Sequence, residues 1–286
     1  AHGRQIPRSA RNSVVEPAPA AHLTPVPANM KGACCLMKEN KYDNSDFFSQ
    51  YSQMSRSVEG LKGAGEWHVL QKMLPDFAGK RVLDLGCGFG WHCVYAIEHG
   101  ATHVTGIDIS EKMLEEAQKR NPSPLIEYQC MAIEDFDFQP DTYDIVISSL
   151  TFHYLESFTD ICRKINNCLT PGGAFVFSVE HPVFTAYGNQ EWYYDQDGKP
   201  IHWPVDRYFT EGRRTAIFLG EEVVKYHKTL TTYINGLLQT GFEICELIEP
   251  QPDERLLDTI PGMKDELRRP MMLLISAKKK SKDAKL

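Results

Sequence analysis

"RVLDLGCGFGWHC", Arg81 to Cys93, sets an apolar run directly ahead of three alternating glycines. Val82, Leu83 and Leu85 have the spacing of a buried strand, one carboxylate (Asp84) lies inside it, and a helix-compatible pattern resumes only after Gly90. Glycines in a strand-to-helix turn let the backbone approach a ligand closely. What that turn holds decides the reading of the chain.

The rest of the chain repeats this rhythm. Short apolar runs at 81–85, 103–107, 125–129, 144–149, 174–179, 242–247 and 271–277 predict strands, while 61–74, 90–99, 110–120, 155–168 and 223–240 carry helical spacing. Strand then helix, repeated, predicts an α/β fold with a mainly parallel sheet covered on both faces. Such sheets bind ligands beyond the carboxyl ends of their strands, where strand order reverses. From about His181 to Glu222 the rhythm breaks. Tyr187, Trp192, Tyr193, Tyr194, Trp203, Tyr208 and Phe209 crowd this stretch between glycines and prolines, which predicts a binding loop or lid.

With 286 residues and 42% hydrophobic composition, the chain can bury a sizeable core. A formal net charge of -7 argues against a general nucleic-acid or membrane-surface binder, because phosphate binding draws on a basic field. The eight cysteines (34, 35, 87, 93, 130, 162, 168, 245) form no CxxC pair and no zinc-like cluster, so no metal is expected and a reducing compartment is. No apolar run is long enough to span a bilayer, and the expectation is a soluble, cytoplasmic protein. Residues 1–36, rich in Ala and Pro, read as a disordered leader or an appended extension, with Met37 as a plausible native start. Residues 278–286 read as a basic tail; its final Ala-Lys-Leu is similar to a peroxisomal address, though three residues recur easily by chance.

Two ligand classes use a glycine turn after a first strand. A nicotinamide dinucleotide needs G-x-G-x-x-G, whose third glycine packs the helix, and here that position is Trp91. The observed G-x-G-x-G with Asp84 two positions upstream suits a ligand with a cationic, zwitterionic end, since a carboxylate repels phosphates. "HVTGIDIS" then ends near Asp108, about 20 residues on, where a carboxylate can take both ribose hydroxyls of an adenosine. A helix N-cap role is the competing reading of Asp108, and Ser110 is the better N-cap.

Asp84 to Gly90, Asp108, "SEKMLEEAQKR", "YDIVISSLTFHYL" and "CLTPGGAFVFS" together resemble the ordered motifs of class I S-adenosylmethionine-dependent methyltransferases, in the small-molecule subgroup that includes ubiquinone-biosynthesis-like enzymes. The resemblance covers roughly 61–178 and the final two strands. It implies a Rossmann-like fold: a seven-stranded, mostly parallel sheet with helices on both faces and an aromatic-rich insertion after the fifth strand. It divides the chain into a helical cover (37–80), an S-adenosylmethionine-binding core (81–180), a substrate-capping insertion (181–222) and a final helix with the last two strands (223–277).

Residue by residue, the resemblance implies that Gly86, Cys87 and Gly88 lie along the methionine moiety with Asp84 near its ammonium group. Asp108 takes the ribose hydroxyls, and Ile109 and Met113 flank the adenine. Many relatives carry Asp where this chain has Ala132, which leaves the backbone of Ala132 and Ile133, or Glu134, to reach the adenine amino group. Ser148, Ser149 and Leu150 pass beside the sulfonium, and His153 faces the substrate side. Tyr42, Tyr51 and Arg56 are the candidates to close over the cofactor, Arg56 by pairing with its carboxylate.

His153 and His181 are the candidate bases should the acceptor be a hydroxyl or amine. Trp192, Trp203, Tyr208 and Arg213 are candidate substrate contacts, with His227 a weaker one. "EGRRTAIF" can equally be an exposed, charged strand edge, and the aromatics can simply pack the insertion together. The expected function is methyl transfer to a small-molecule acceptor at oxygen, nitrogen or carbon. The rivals are a non-catalytic S-adenosylmethionine-binding regulator or partner subunit and a nicotinamide oxidoreductase. A nucleic-acid methyltransferase is disfavoured by the acidic balance and the lack of a Pro-Cys or Asn-Pro-Pro-Tyr motif. Neither the acceptor nor the oligomeric state is legible.

Overall fold

The computed structural model describes residues 40–281. The leader 1–36, Met37, Cys34, Cys35 and the final Ala-Lys-Leu lie outside the described residues.

The chain enters through a cover of three short helices, α1 (Ser45–Tyr51), α2 (Ser55–Glu59) and α3 (Trp67–Met73). The core follows as β1 (Arg81–Leu85), α4 (Trp91–Glu98), β2 (His103–Asp108), α5 (Glu111–Arg120), β3 (Ile126–Cys130), β4 (Tyr143–Ser149), α6 (Phe158–Cys168) and β5 (Leu169–Glu180). One turn of helix, α7 (Pro182–Thr185), leads into two hairpins, β6 (Tyr193–Tyr194) with β7 (Pro200–His202) and β8 (Gly212–Phe218) with β9 (Glu221–His227). α8 (Leu230–Gln239), β10 (Phe242–Ile248) and β11 (Met272–Lys279) complete it.

Seven strands form one sheet in the order β10-β11-β5-β4-β1-β2-β3, parallel except for β11, which runs antiparallel to both β5 and β10. This is the Rossmann-like sheet that the motif series implies. Strand order turns back between β1 and β4, so the crevice beyond their carboxyl ends is the natural ligand position. Val82 to Leu85 and Ile145 to Ile147 are buried without alternation because helices cover both faces.

Local chemistry sets the helix starts. Ser110 caps α5 by accepting from Met113 N, and Ser157 caps α6 by accepting from Asp160 N, which is why α6 begins at Phe158 rather than 155. The predicted helix 61–74 resolves into a 3₁₀ turn, Gly60–Gly63, followed by α3.

The predicted helix at 223–240 needs correction, since its first part is strand β9. Val223, Lys225 and His227 point inward while their neighbours lie further out, a period of two that β-branched Val-Val favours. Leu219 and Gly220, both at positive φ, make the two-residue turn between β8 and β9. The hairpin thereby returns Lys225 and His227 to the protein interior.

Phe177 on β5 sits at the centre of the core, against Phe152, Phe158 and Phe175 at ring distances of 5.6, 5.4 and 4.8 Å. It anchors the 3₁₀ turn Phe152–Tyr154 that follows β4. Phe177→Ala should lower stability by about 3–5 kcal/mol in urea unfolding; a loss below about 1 kcal/mol would contradict this central position.

Candidate functional site

The glycine loop connects β1 to α4 at the switch point. Gly86, Gly88 and Gly90 all adopt positive φ, and a side chain on Gly86 would overlap Thr151 while one on Gly90 would overlap the Tyr128 hydroxyl. The amides of Gly86 and Cys87 both donate to the Ile107 carbonyl, at 2.9 and 3.1 Å, tying the loop to the end of β2.

Two carboxylates flank this loop. Asp84 is 1% exposed; Oδ2 accepts from Cys93 Sγ at 3.4 Å, and Oδ1 has no hydrogen-bond partner. Burial pushes it up to about 7. Asp108, at the end of β2, accepts from Ser110 N at 3.0 Å, and burial pushes it up to about 8 against the hydrogen bonds that lower it. Among the described residues neither carboxylate has a cation in an ion pair. The fold also gathers Asp84, Cys87 and Cys93 so that one ligand atom from each lies within 4.8 Å of the others, a group the cysteine spacing does not announce. Burial raises both thiols, Cys93 to about 11.

Arg56, only 5% exposed, forms a buried ion pair with Glu66. Its NH1 also donates to Ser149 Oγ at 3.4 Å, and Ser149 Oγ donates to Glu66 Oε1 at 3.1 Å. Burial would raise the Glu66 carboxyl, but the Arg56 charge and hydrogen bond outweigh it and hold it below the usual range. Burial with Arg56 nearby pushes His92 down to about 4. Arg56, His92, Ser149 and the glycine loop line a cleft of about 360 Å³ with Tyr51, Trp91 and Leu61. Arg56 thus has an internal carboxylate partner in Glu66.

The other cofactor candidates divide by position. Tyr51 is fully buried, and Tyr42 meets the Tyr154 hydroxyl at 3.1 Å; both belong to an aromatic cluster with Phe47. Ile109 is half-buried, but Met113 is sealed in the core with Leu114 and Ala117. Ala132 stands before the 3₁₀ turn Ile133–Asp135, and Ile133 packs into the core. Leu150 is buried at a left-handed φ of 51°, a strained conformation for Leu, with its amide held by the Ser178 carbonyl at 2.9 Å and hydroxyl at 3.1 Å. The Asp43 carboxylate, missed by sequence reasoning, accepts from Ser110 Oγ and from Lys112 N and pins the cover to the start of α5.

His153 is fully buried; its Nδ1 accepts from Glu180 N at 3.4 Å and its Nε2 has no hydrogen-bond partner. Burial pushes it down to about 3. His181 is tied down differently: Nδ1 accepts from Val183 N at 3.0 Å as a helix cap, and Nε2 lies 2.7 Å from Glu249. Burial lowers it despite the Glu249 charge. These two histidines therefore stand in the neutral form at neutral pH, and His181 has its Nδ1 spent on the helix cap.

The insertion's aromatics pack mainly on one another. Trp203 stacks on Phe184 at 5.0 Å, meets Trp192 edge-on at 5.4 Å, donates to the Val183 carbonyl, and lies 4.0 Å beneath the Arg269 guanidinium. The Tyr208 hydroxyl accepts from Leu230 N, and its carbonyl meets His227 Nε2 at 2.8 Å. Arg213 is exposed on the outer face of β8, whereas its neighbour Arg214 is buried and donates to the Ala186 carbonyl. Arg213 is not brought to the cleft.

A buried polar cluster lies instead at the end of β5. Lys225, 2% exposed, reaches Glu180 at 2.6 Å and Gln190 at 2.8 Å, and Gln190 donates to Glu180 at 2.7 Å. Sequence reasoning missed all three. Glu180 is visible beside His181 in "SVEHPVF", whereas Lys225 lay inside the misread helix.

Residues 83–177 match the family described as "Methyltransferase domain". A solved structure from Listeria monocytogenes assigned to the S-adenosylmethionine-dependent methyltransferases is 61% identical, covers 78% of this chain and all of its own, and superposes with a TM-score of 0.74. An S-adenosylmethionine-dependent methyltransferase from Mesorhizobium loti is 42% identical, with a TM-score of 0.70 over 77% of this chain and all of its own. A ubiquinone biosynthesis O-methyltransferase from Neisseria meningitidis is 36% identical over 157 residues, half of this chain and 65% of that enzyme. A mostly parallel sheet with a glycine loop and two carboxylates at its switch point, together with these likenesses, places the chain in the class I S-adenosylmethionine-dependent methyltransferases. No helix among the described residues is long and apolar enough to cross a membrane.

Raised carboxyl groups set the sign of a stability effect. Below the unfolded-state range, near pH 4, Asp84 and Asp108 are protonated whether the chain is folded or not, and their contribution is fully present. It is lost progressively as pH rises from about 4 to about 7 for Asp84 and about 8 for Asp108, by up to about 1.4 kcal/mol per pH unit for each group. The melting temperature of the ligand-free protein should therefore decline over this window more steeply than that of Asp108→Asn; equal slopes by calorimetry would refute these buried, proton-binding carboxyls.

Proposed function

We propose that this chain transfers a methyl group from S-adenosylmethionine to a small-molecule acceptor held between the carboxyl ends of β4 and β5 and the inserted segment above them. The observation that carries the reading is the pair of buried carboxylates, Asp84 and Asp108, flanking the glycine loop without a cation of the protein's own. Such groups are costly unless something neutralises or hydrogen-bonds them. A ligand with an ammonium group at one end and a ribose diol in its middle answers both needs; a pyrophosphate answers neither.

In this reading Asp84 holds the ammonium, Asp108 the ribose hydroxyls, and the backbone of Gly86, Cys87 and Gly88 follows the methionine chain. Ala132 and Ile133 reach the adenine, with Ile109 at its edge. Met113, sealed beneath, supports the wall without touching the ring. Arg56 keeps Glu66 and Ser149 in register at the methionine end. Bound there, S-adenosylmethionine supplies an electrophilic methyl group. The protein's part in an in-line displacement is alignment and exclusion of water. The strained turn at Leu150 and the cover helices serve both ends.

A small acceptor is supported by the packed insertion over the strand ends and by the likeness of the core to ubiquinone biosynthesis O-methyltransferases. The acidic balance gives no field for a nucleic-acid substrate.

Calorimetric titration with S-adenosylhomocysteine should show tight binding, with no heat from NADH. Asp108→Ala should weaken it by roughly tenfold to a hundredfold, the scale of one hydrogen-bonded charged group. Unchanged affinity in Asp108→Ala, or binding of NADH in preference, would remove this reading.

A further inference from the structure

His153 follows β4 by four residues, in the 3₁₀ turn Phe152–Tyr154 that continues from the carboxyl end of that strand, the end at which the acceptor is proposed to lie. Its surroundings are unusually polar for a fully buried ring. Tyr154 lies 4.4 Å away between ring centres, and Glu180, from the end of β5, and Lys225 and Lys228, from β9 and its continuation, act on it electrostatically. Lys228 fixes the turn by donating to the carbonyls of Phe152, Leu155 and Tyr226.

One hydrogen bond decides what this ring can do. The backbone amide of Glu180 donates to Nδ1, so Nδ1 carries the lone pair. In a neutral imidazole the single proton then sits on Nε2. Turning the tautomer around would set Nδ1–H against the amide N–H. Nε2 is thus a fixed donor, buried, with no acceptor among the described residues. A buried donor left unmatched costs about 1–3 kcal/mol, so something that binds beside it gains by supplying an oxygen.

We propose that His153 is a hydrogen-bond donor to the acceptor molecule and not its general base, and that the acceptor class is an oxygen-bearing small molecule presenting a carboxylate, carbonyl or ionised hydroxyl to Nε2–H. An alkylammonium at the same place would face donor to donor. The inference rests on the methyltransferase reading for what occupies the crevice, while the tautomer stands independently of it. The acceptor's proton, where it has one to lose, leaves by a route other than His153.

The test is nitrogen-15 multiple-bond NMR on the full chain labelled at histidine, with His153 assigned by His153→Gln. The expected pattern is Nδ1 unprotonated, Nε2 protonated, and no titration between about pH 5.5 and 8.5. Benzoate and benzylamine, titrated with S-adenosylhomocysteine present, then serve as matched oxygen and ammonium probes. Benzoate should shift the Nε2–H resonance, and benzylamine should not. His153→Gln, which keeps a side-chain N–H donor, should bind benzoate within about threefold of wild type, and His153→Leu at least tenfold more weakly. Protonation at Nδ1, titration within the range, a response to benzylamine alone, or no response to either probe would overturn the proposal. Absence of S-adenosylhomocysteine binding in the same samples would instead overturn the methyltransferase reading and leave the tautomer result standing.

Discussion

Two carboxylates buried at the ends of neighbouring parallel strands, with glycines between them, are the constraint on which the rest of this structure depends. Asp84 and Asp108 lie one strand apart, at the ends of β1 and β2, and the loop amides that separate them are tied to the Ile107 carbonyl. Their burial is stable without a partner only in the protonated form, which is why both stand far above the usual carboxylate range. The sheet supplies the placement and the glycine loop the close approach. Ionising the pair is left to what binds.

The polar groups around this centre are satisfied to different degrees. Arg56 and Glu66 neutralise each other and brace Ser149; Lys225 and Glu180 do the same above β5. His227 is held at both ring nitrogens, and His181 is held at Nδ1 with the Glu249 carboxylate 2.7 Å from its Nε2. His153, fully buried, has an Nε2 with neither a hydrogen-bond partner nor a carboxylate in ion-pair range among the described residues. The unmatched donor at His153 thus stands beside groups, Lys225 and Glu180, that are paired with each other.

Much of this was legible in the sequence. The run from Arg81 to Arg120 specified strand, loop, helix, strand and helix because its chemistry is local: apolar continuity, obligatory glycines and, at Ser110, a Ser cap. The seven-stranded, mostly parallel sheet followed from the motif resemblance. What stayed hidden depends on long-range packing. Glu66 is one more acid in a polar stretch until α3 brings it to Arg56, and Lys225 was lost because "EEVVKYHKTLTTYINGLLQ" satisfies a helical period as readily as the strand and helix it forms. The spacing that made Trp203 and Tyr208 candidate contacts likewise could not show that they spend their rings and polar atoms on the insertion itself.

In the proposed reading, ligand binding ionises the two carboxylates. Calorimetry of S-adenosylhomocysteine binding near pH 6.5, in buffers of different ionisation enthalpy, counts the protons released. Release on the order of one proton or more per ligand is expected, because groups raised to about 7 and 8 must both give up a proton to hold an ammonium and a ribose diol. Tight binding with no proton release would show that the carboxylates do not carry the ligand, and the account would fail at its centre.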